Sequence, residues 1–266
     1  ESASLSNAKG FNDTPFIKID KVQLGAAILP LLSKKLEVDT LTLHGLSLNL
    51  ERKADGTTNW DDLVKPSTEK AEEKTSEPTE NPMDKLASLN FGGIDIKDGL
   101  IKWQDAQSQQ NITLKNLDFT SGAITFGEYF FIALSADTDV SNPELSSKLA
   151  INVEAKLDKD GQYAIRNLNI NNEVSGKGIP VKQATTKISL PNFSLENNVF
   201  SMPKLSIDYD VDGGKDFPLE KIKGQLNLTD LTGDITNQSF NAKQIALNAG
   251  FDAGVVANEV EKSAKQ

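Results

Sequence analysis

Hydrophobic and polar positions alternate with period two along most of this chain. Leu149, Ile151, Val153, Ala155 and Leu157 are separated by Ala150, Asn152, Glu154 and Lys156. On a strand the first set falls on one face and the charged set on the other. The same alternation runs through Ile17-Ile19, Leu36-Val38, Leu46-Leu48-Leu50, Ile94-Ile96, Ile112-Leu114, Phe130-Ile132-Leu134, Leu205-Ile207-Tyr209-Val211, Leu226-Leu228 and Ile245-Leu247. One apolar and one wet face is the pattern of half-exposed antiparallel strands. Turn chemistry marks the boundaries: Asp55-Gly56, Asp98-Gly99, Asp160-Gly161, Asp212-Gly213-Gly214, and Pro143, Pro180, Pro191, Pro203 and Pro218. A dozen or more strands at this spacing predict a mainly β protein.

Helical signals are few. Gly25–Lys35 is a compact apolar segment that suits a short helix with Pro30 in its first turn. Asn59–Leu63 and Pro82–Leu89 suit single turns, and Ala253–Gln266 is a polar C-terminal tail. Residues 66–82 hold three prolines and seven charges with Ala71 as the sole hydrophobic residue. Such a segment buries almost nothing and reads as a mobile linker. It divides the chain into an N-terminal β region (1–65), the linker (66–82), a longer β region (83–252) and the tail (253–266). Leu43–Leu50 and Ile96–Trp103 echo one another, each reading as a hairpin with glycine at its turn.

Composition narrows the chemistry. The 266 residues carry no cysteine and one histidine, which removes disulfides, thiolate metal sites, cysteine nucleophiles and multi-histidine metal centres. A Ser-His-Asp triad would have to use His44, and no partner constellation accompanies it. The net charge is −10, and only Arg52 and Arg166 are arginines, which argues against a nucleic-acid surface. No apolar run reaches transmembrane length. The chain begins at Glu1 without Met or a signal peptide, the form expected of a fragment or mature chain. Asp208, Asp210 and Asp212 open like a calcium loop, but Leu219 stands where that loop needs glutamate; they read as the outer face of a strand. Trp60 and Trp103 are single aromatics, suited to core or rim packing. The expectation is a protein that is not an enzyme and uses no cofactor.

The N-terminus carries a more specific signal. Leu5-Ser6-Asn7-Ala8-Lys9-Gly10-Phe11 is followed by Ile28-Leu29-Pro30-Leu31-Leu32, then by Leu41–Leu46 and Leu48-Asn49-Leu50-Glu51-Arg52. Asp55-Gly56-Thr57-Thr58-Asn59-Trp60-Asp61-Asp62-Leu63 closes the series. In this order the segments resemble the AsmA family of Gram-negative envelope proteins over about residues 4–63. Asp98–Asp105 resembles the same family's "DGxIxWxD" segment. The resemblance implies an inner-membrane anchor helix preceding this chain and a body in the periplasm. It also implies a long curved antiparallel β-sheet forming an open, U-shaped apolar groove with a few short helices. Such proteins are similar to bridge-like lipid-transfer proteins, so phospholipid is the implied cargo.

Two functions follow as expectations. The first is a lipid carrier whose groove is lined by Ile17, Ile19, Leu36, Val38, Leu46, Leu48, Leu50, Ile94, Ile96, Ile112, Leu114, Phe130, Ile132, Leu134, Leu149, Ile151, Val153, Leu157, Leu205, Ile207, Leu226 and Leu228, with Ala26–Leu32 capping one end. The second is an envelope assembly factor that accepts outer-membrane protein precursors by β-augmentation. Periodicity by itself fits a closed sandwich equally well. On the parity of residues 149–157, Val153→Asp tests the apolar face, and Glu154→Lys on the wet face is expected to change little.

Overall fold

The computed structural model describes residues 1–26, 37–64, 90–158, 161–214 and 219–252. The linker 66–82, the tail 253–266 and Pro82–Leu89 lie outside them, as does all but the first two residues of the Gly25–Lys35 segment.

Fifteen strands form one sheet. They are β1 (Ala3–Leu5), β2 (Ile17–Ile19), β3 (Lys21–Ala26), β4 (Glu37–His44), β5 (Ser47–Arg52), β6 (Asn90–Phe91), β7 (Ile94–Asp105), β8 (Gln110–Ser121), β9 (Tyr129–Ser141), β10 (Glu144–Leu157), β11 (Tyr163–Ser175), β12 (Gln183–Glu196), β13 (Val199–Asp212), β14 (Lys221–Asp234) and β15 (Ser239–Asp252). From β7 to β15 the chain is an up-and-down meander, each strand antiparallel to the next. β1 and β15 lie at opposite ends of the pairing order, so the sheet is open, and it curves. Among the described residues the only helix is α1 (Asp61–Val64), at the predicted single turn. Gly25 and Ala26, expected to open a helix, end β3 instead.

Two further expectations change. The paired echo is not a pair of hairpins. β4 and β5 both run parallel to β7, Leu41–His44 beside Ile94–Lys97 and Ser47–Arg52 beside Leu100–Asp105. Gly45 (φ 65°) and Asp98 (φ 52°) sit side by side in the left-handed region and kink two strands that continue in the same direction. Gly45 N–H donates to the Lys97 carbonyl at 3.0 Å and Leu100 N–H to Leu46 at 2.7 Å, tying the kinks together. These pairings also make the N-terminal part of the sheet mixed rather than purely antiparallel.

Pro191 and Pro203, expected in turns, lie inside β12 and β13. They fall at a gap in the β12–β13 ladder, between Ser189↔Ser206 and Ser194↔Ser201, where a missing N–H costs nothing. The gap belongs to a line of irregularities. Asn167 in β11 and Asp230 in β14 take positive φ there, as Asn116 does in β8, and Asn and Asp tolerate that region best. At each such point the apolar spacing steps by three: Leu114 to Leu117, Ile165 to Leu168, Leu190 to Phe193, Met202 to Leu205, Leu228 to Leu231. A kink keeps the apolar set on one face while turning the strand.

Candidate functional site

Residues directly opposite across a ladder share a face, so the register carries one face from strand to strand. Leu134, Ile151, Ile170, Ile188, Ile207, Leu226 and Leu247 are successive partners from β9 to β15. In the other direction Leu134 pairs Phe119, Phe119 pairs Ile96, and Ile96 pairs Leu43. Leu114 pairs Ile101, Ile101 pairs Leu48, and Leu48 pairs Ile17. One apolar face therefore runs through the whole sheet.

The candidate residues gather on it. Ile17, Ile19, Leu48, Leu50, Ile94, Ile96, Ile112, Leu114, Phe130, Ile132, Leu134, Leu149, Ile151, Val153, Leu157, Leu205, Ile207, Leu226 and Leu228 all share that face by register. Leu46 lies half-buried just before β5. Leu36 lies outside the described residues, and the structure describes no side chain for Val38. Most of the Ala26–Leu32 segment is likewise outside.

Sequence reasoning missed Leu41, Leu43, Phe119, Ile170 and Ile188, together with Leu117, Ile165, Leu168, Phe193, Phe200 and Leu231. For the last six the missed signal was an apolar step of three around an Asn, Asp or Pro, which a strict period of two discards.

The face is crowded, and no second layer of described residues covers it. Among the described residues only Phe16, Leu117, Phe130, Ala136 and Leu190 are buried hydrophobics. Most of the other apolar side chains on it are half-buried, shielded by strand neighbours, and Leu5 and Tyr163 are exposed. At β15 even that shielding fades: Phe240, Ile245, Leu247 and Phe251 are 65–68% exposed. The opposite face is charged and paired. Lys115 bonds Asp139, Lys223 bonds Asp210 at 2.7 Å, and Lys182 bonds Asp212 at 2.8 Å. The lysine contacts hold Asp139 and Asp212 below the usual carboxylate range. Asp208 and Asp210 thus lie on the outer face, with Tyr209 turned inward.

At the β5 end the N-terminal segments that carry the family resemblance form a clasp. Asn59 is 1% exposed. Its amide donates to Asn7 Oδ1 at 2.9 Å and to the Asn49 carbonyl at 2.8 Å, and its Oδ1 accepts from Glu51 N–H at 2.9 Å. Asn7 also donates to Glu51 Oε1 at 3.0 Å. Beside this network Trp60 packs on Trp103 with ring centroids 5.5 Å apart. Arg52 lies over Trp103 and bonds Asp105, whose side chain is 3% exposed. The Arg52 guanidinium, with Ser108 and Gln107 as further donors, holds the Asp105 carboxyl well below its ordinary range. Among the described residues no buried side-chain polar atom lacks a partner, which is a structural arrangement.

His44 Nε2 lies 3.1 Å from Asp98, both side chains exposed beside the Gly45 kink. Among the described residues no group of three acidic or histidine side chains converges as a metal site. No described helix is long and apolar enough to cross a membrane. A family model described as the AsmA family matches residues 1–209. No solved structure matches the chain.

Proposed function

This chain belongs to the AsmA family, and from that premise we propose that it is a non-enzymatic carrier of phospholipid in the Gram-negative envelope. The observation that supports this most is the apolar face, continuous from Ile17 in β2 to Leu247 in β15 and covered by no second layer of described residues. A soluble sheet normally hides such a face against a second layer. Acyl chains laid on it leave water, or leave a bilayer without entering water, at about 0.8 kcal/mol for each methylene fully buried. Headgroups stay at the open side, and no chemical step or cofactor is needed. The body would stand in the periplasm, held to the inner membrane by an anchor preceding this chain, and pass phospholipid toward the outer membrane.

The test is organic extraction of the purified chain followed by mass spectrometry, and uptake of labelled phospholipid from vesicles by the delipidated chain. Co-purified diacyl lipid and saturable uptake are the expected results. A lipid-free protein that takes up nothing overturns the proposal.

One observation favours a second reading. β15 has no partner on its outer edge among the described residues, and its apolar side chains are the most exposed of the sheet. An extended segment of an outer-membrane protein precursor could pair there by β-augmentation. Capture of unfolded β-barrel protein by a chain that binds no lipid would favour this second reading.

A further inference from the structure

The apolar face is not uniform along its strands. One row in from the rim formed by the β9–β10, β11–β12 and β13–β14 connections, five consecutive strands carry hydrogen-bonding side chains inward: Thr138, Ser147, Asn172, Thr186 and Tyr209. Thr138 pairs Ser147, Asn172 pairs Thr186, and Thr186 pairs Tyr209. Ser147 Oγ donates to Asn172 Oδ1 at 2.6 Å and closes the diagonal step between them. Tyr209 lies over Gly224, where a Cβ would overlap its hydroxyl. The row so runs along the sheet, across the strands, for about 19 Å at roughly 4.8 Å per strand.

Cross-strand hydroxyl pairs can stabilise a sheet by bonding each other, but that does not account for this row. Only the Ser147–Asn172 bond forms. Among the described residues the hydroxyls of Thr138, Thr186 and Tyr209 and the Asn172 amide nitrogen have no side-chain partner. All five side chains are half-buried. The row therefore presents unused donors on an otherwise apolar surface.

The opposite rim is different. Phe193 and Phe200 stack at 6.3 Å, and Phe200 meets Phe240 at 6.0 Å. On β13 the nine steps from Tyr209 to Phe200 span about 30 Å at roughly 3.4 Å each, with Ile207, Leu205 and Met202 inward between them. One leaflet of a bilayer is about 15 Å of hydrocarbon, half the roughly 30 Å core, so an acyl chain starting at the polar row stays on apolar surface. The row itself contains no cation. Among the described lysines at that rim, Lys182 is engaged with Asp212 at 2.8 Å and Lys177 with Glu144 at 3.3 Å, and Lys221, opposite Asp212, lies on the outer face. Neutral donors beside a long apolar field suit the ester carbonyls of a two-chain lipid better than its charged phosphate.

We propose that Thr138, Ser147, Asn172, Thr186 and Tyr209 form a rail that hydrogen-bonds the ester carbonyls of a diacyl lipid, setting its orientation across the sheet. This rests on the carrier reading above. The rail would let lipids move from strand to strand while keeping their chains toward the aromatic rim.

The test compares dipalmitoyl phosphatidylethanolamine with its dihexadecyl diether analogue, which keeps headgroup and chains and lacks the carbonyls. Each competes with a pyrene-labelled phospholipid on the 266-residue chain. The expected result is about five- to tenfold tighter binding of the diester, the size of one or two net hydrogen bonds. Asn172→Leu with Thr186→Val should lower diester affinity to the diether level, and Tyr209→Phe alone should lower it about threefold. Thr185→Val, on the outer face, should leave the preference intact. If the double variant fails to fold, Tyr209→Phe decides. Equal binding of diester and diether by the unmodified chain overturns the rail and leaves the carrier standing, whereas binding of neither overturns both. A preference that persists in the folded variants removes these residues from the role.

Discussion

Val153→Asp puts a carboxylate in the middle of the apolar face. Val153 lies opposite Ile132 on β9, between Ile151 and Ala155 along β10, and is half-buried. Full burial of a valine contributes about 1.5–3 kcal/mol, so its half-buried methyls contribute about 1 kcal/mol. A carboxylate with one side open to water adds about 1–2 kcal/mol more, on the scale of partly compensated polar burial. The fold should lose about 2–3 kcal/mol and survive. In a covered core the same charge would have no water to reach and would unfold most domains of ordinary stability. For cargo, two or three methylenes forced off the surface cost about 2 kcal/mol, roughly a thirtyfold loss of lipid affinity. The assay is urea denaturation followed by circular dichroism, paired with lipid content by mass spectrometry. A folded variant purifying with little lipid is the expected outcome. Unfolding in buffer would mean that a second layer covers the face, and undiminished lipid would place the cargo elsewhere. Asn152→Asp is the proper control from the outer face. Glu154→Lys, expected to be silent on parity grounds, is not: Glu154 accepts from Arg166 and, at 2.9 Å, from Asn167 at its kink, so a lysine there should destabilise the β10–β11 pair.

Asn59→Ala strips the Glu51 N–H, the Asn49 carbonyl and Asn7 Oδ1 of their partner in a site that is 1% exposed, and should cost about 3–4 kcal/mol in urea denaturation; a loss under about 1 kcal/mol would refute the clasp. Asp105, Asp139 and Glu154 have carboxyls lowered by Arg52, Lys115 and Arg166 respectively. A carboxyl lowered in the folded state stabilises it above the unfolded value of about 4 and loses that contribution as pH falls, so stability should be level near neutrality and drop below about pH 4, less steeply in Asp105→Asn; equal slopes in both proteins would contradict the assignment. Ile245→Lys with Leu247→Lys on the exposed β15 should change stability by less than about 0.5 kcal/mol each in urea denaturation; a larger loss would mean that this edge is covered.

The residues on their own determined strand character and facing. Alternation from Leu149 to Leu157 needs only the geometry of an extended chain, in which neighbouring side chains point oppositely, and the outward Asp208 and Asp210 follow from the same rule. Where the rule breaks, at Asn116, Asn167, Pro191, Pro203 and Asp230, the break was written locally as an apolar step of three. Its meaning depended on neighbouring strands breaking in line, so Pro191 and Pro203 read as turns until the register aligned them. Partner choice was beyond local reach. Gly45 and Asp98 look like hairpin turns in isolation, and only the parallel alignment of β4 and β5 on β7, joining residues some fifty apart, makes them adjoining kinks. The same holds for the apolar face as a whole. Each strand specifies that it has one, but whether a second layer covers it is decided by how fifteen strands pair into a single open sheet, because burial is a property of what lies opposite and not of the residue itself.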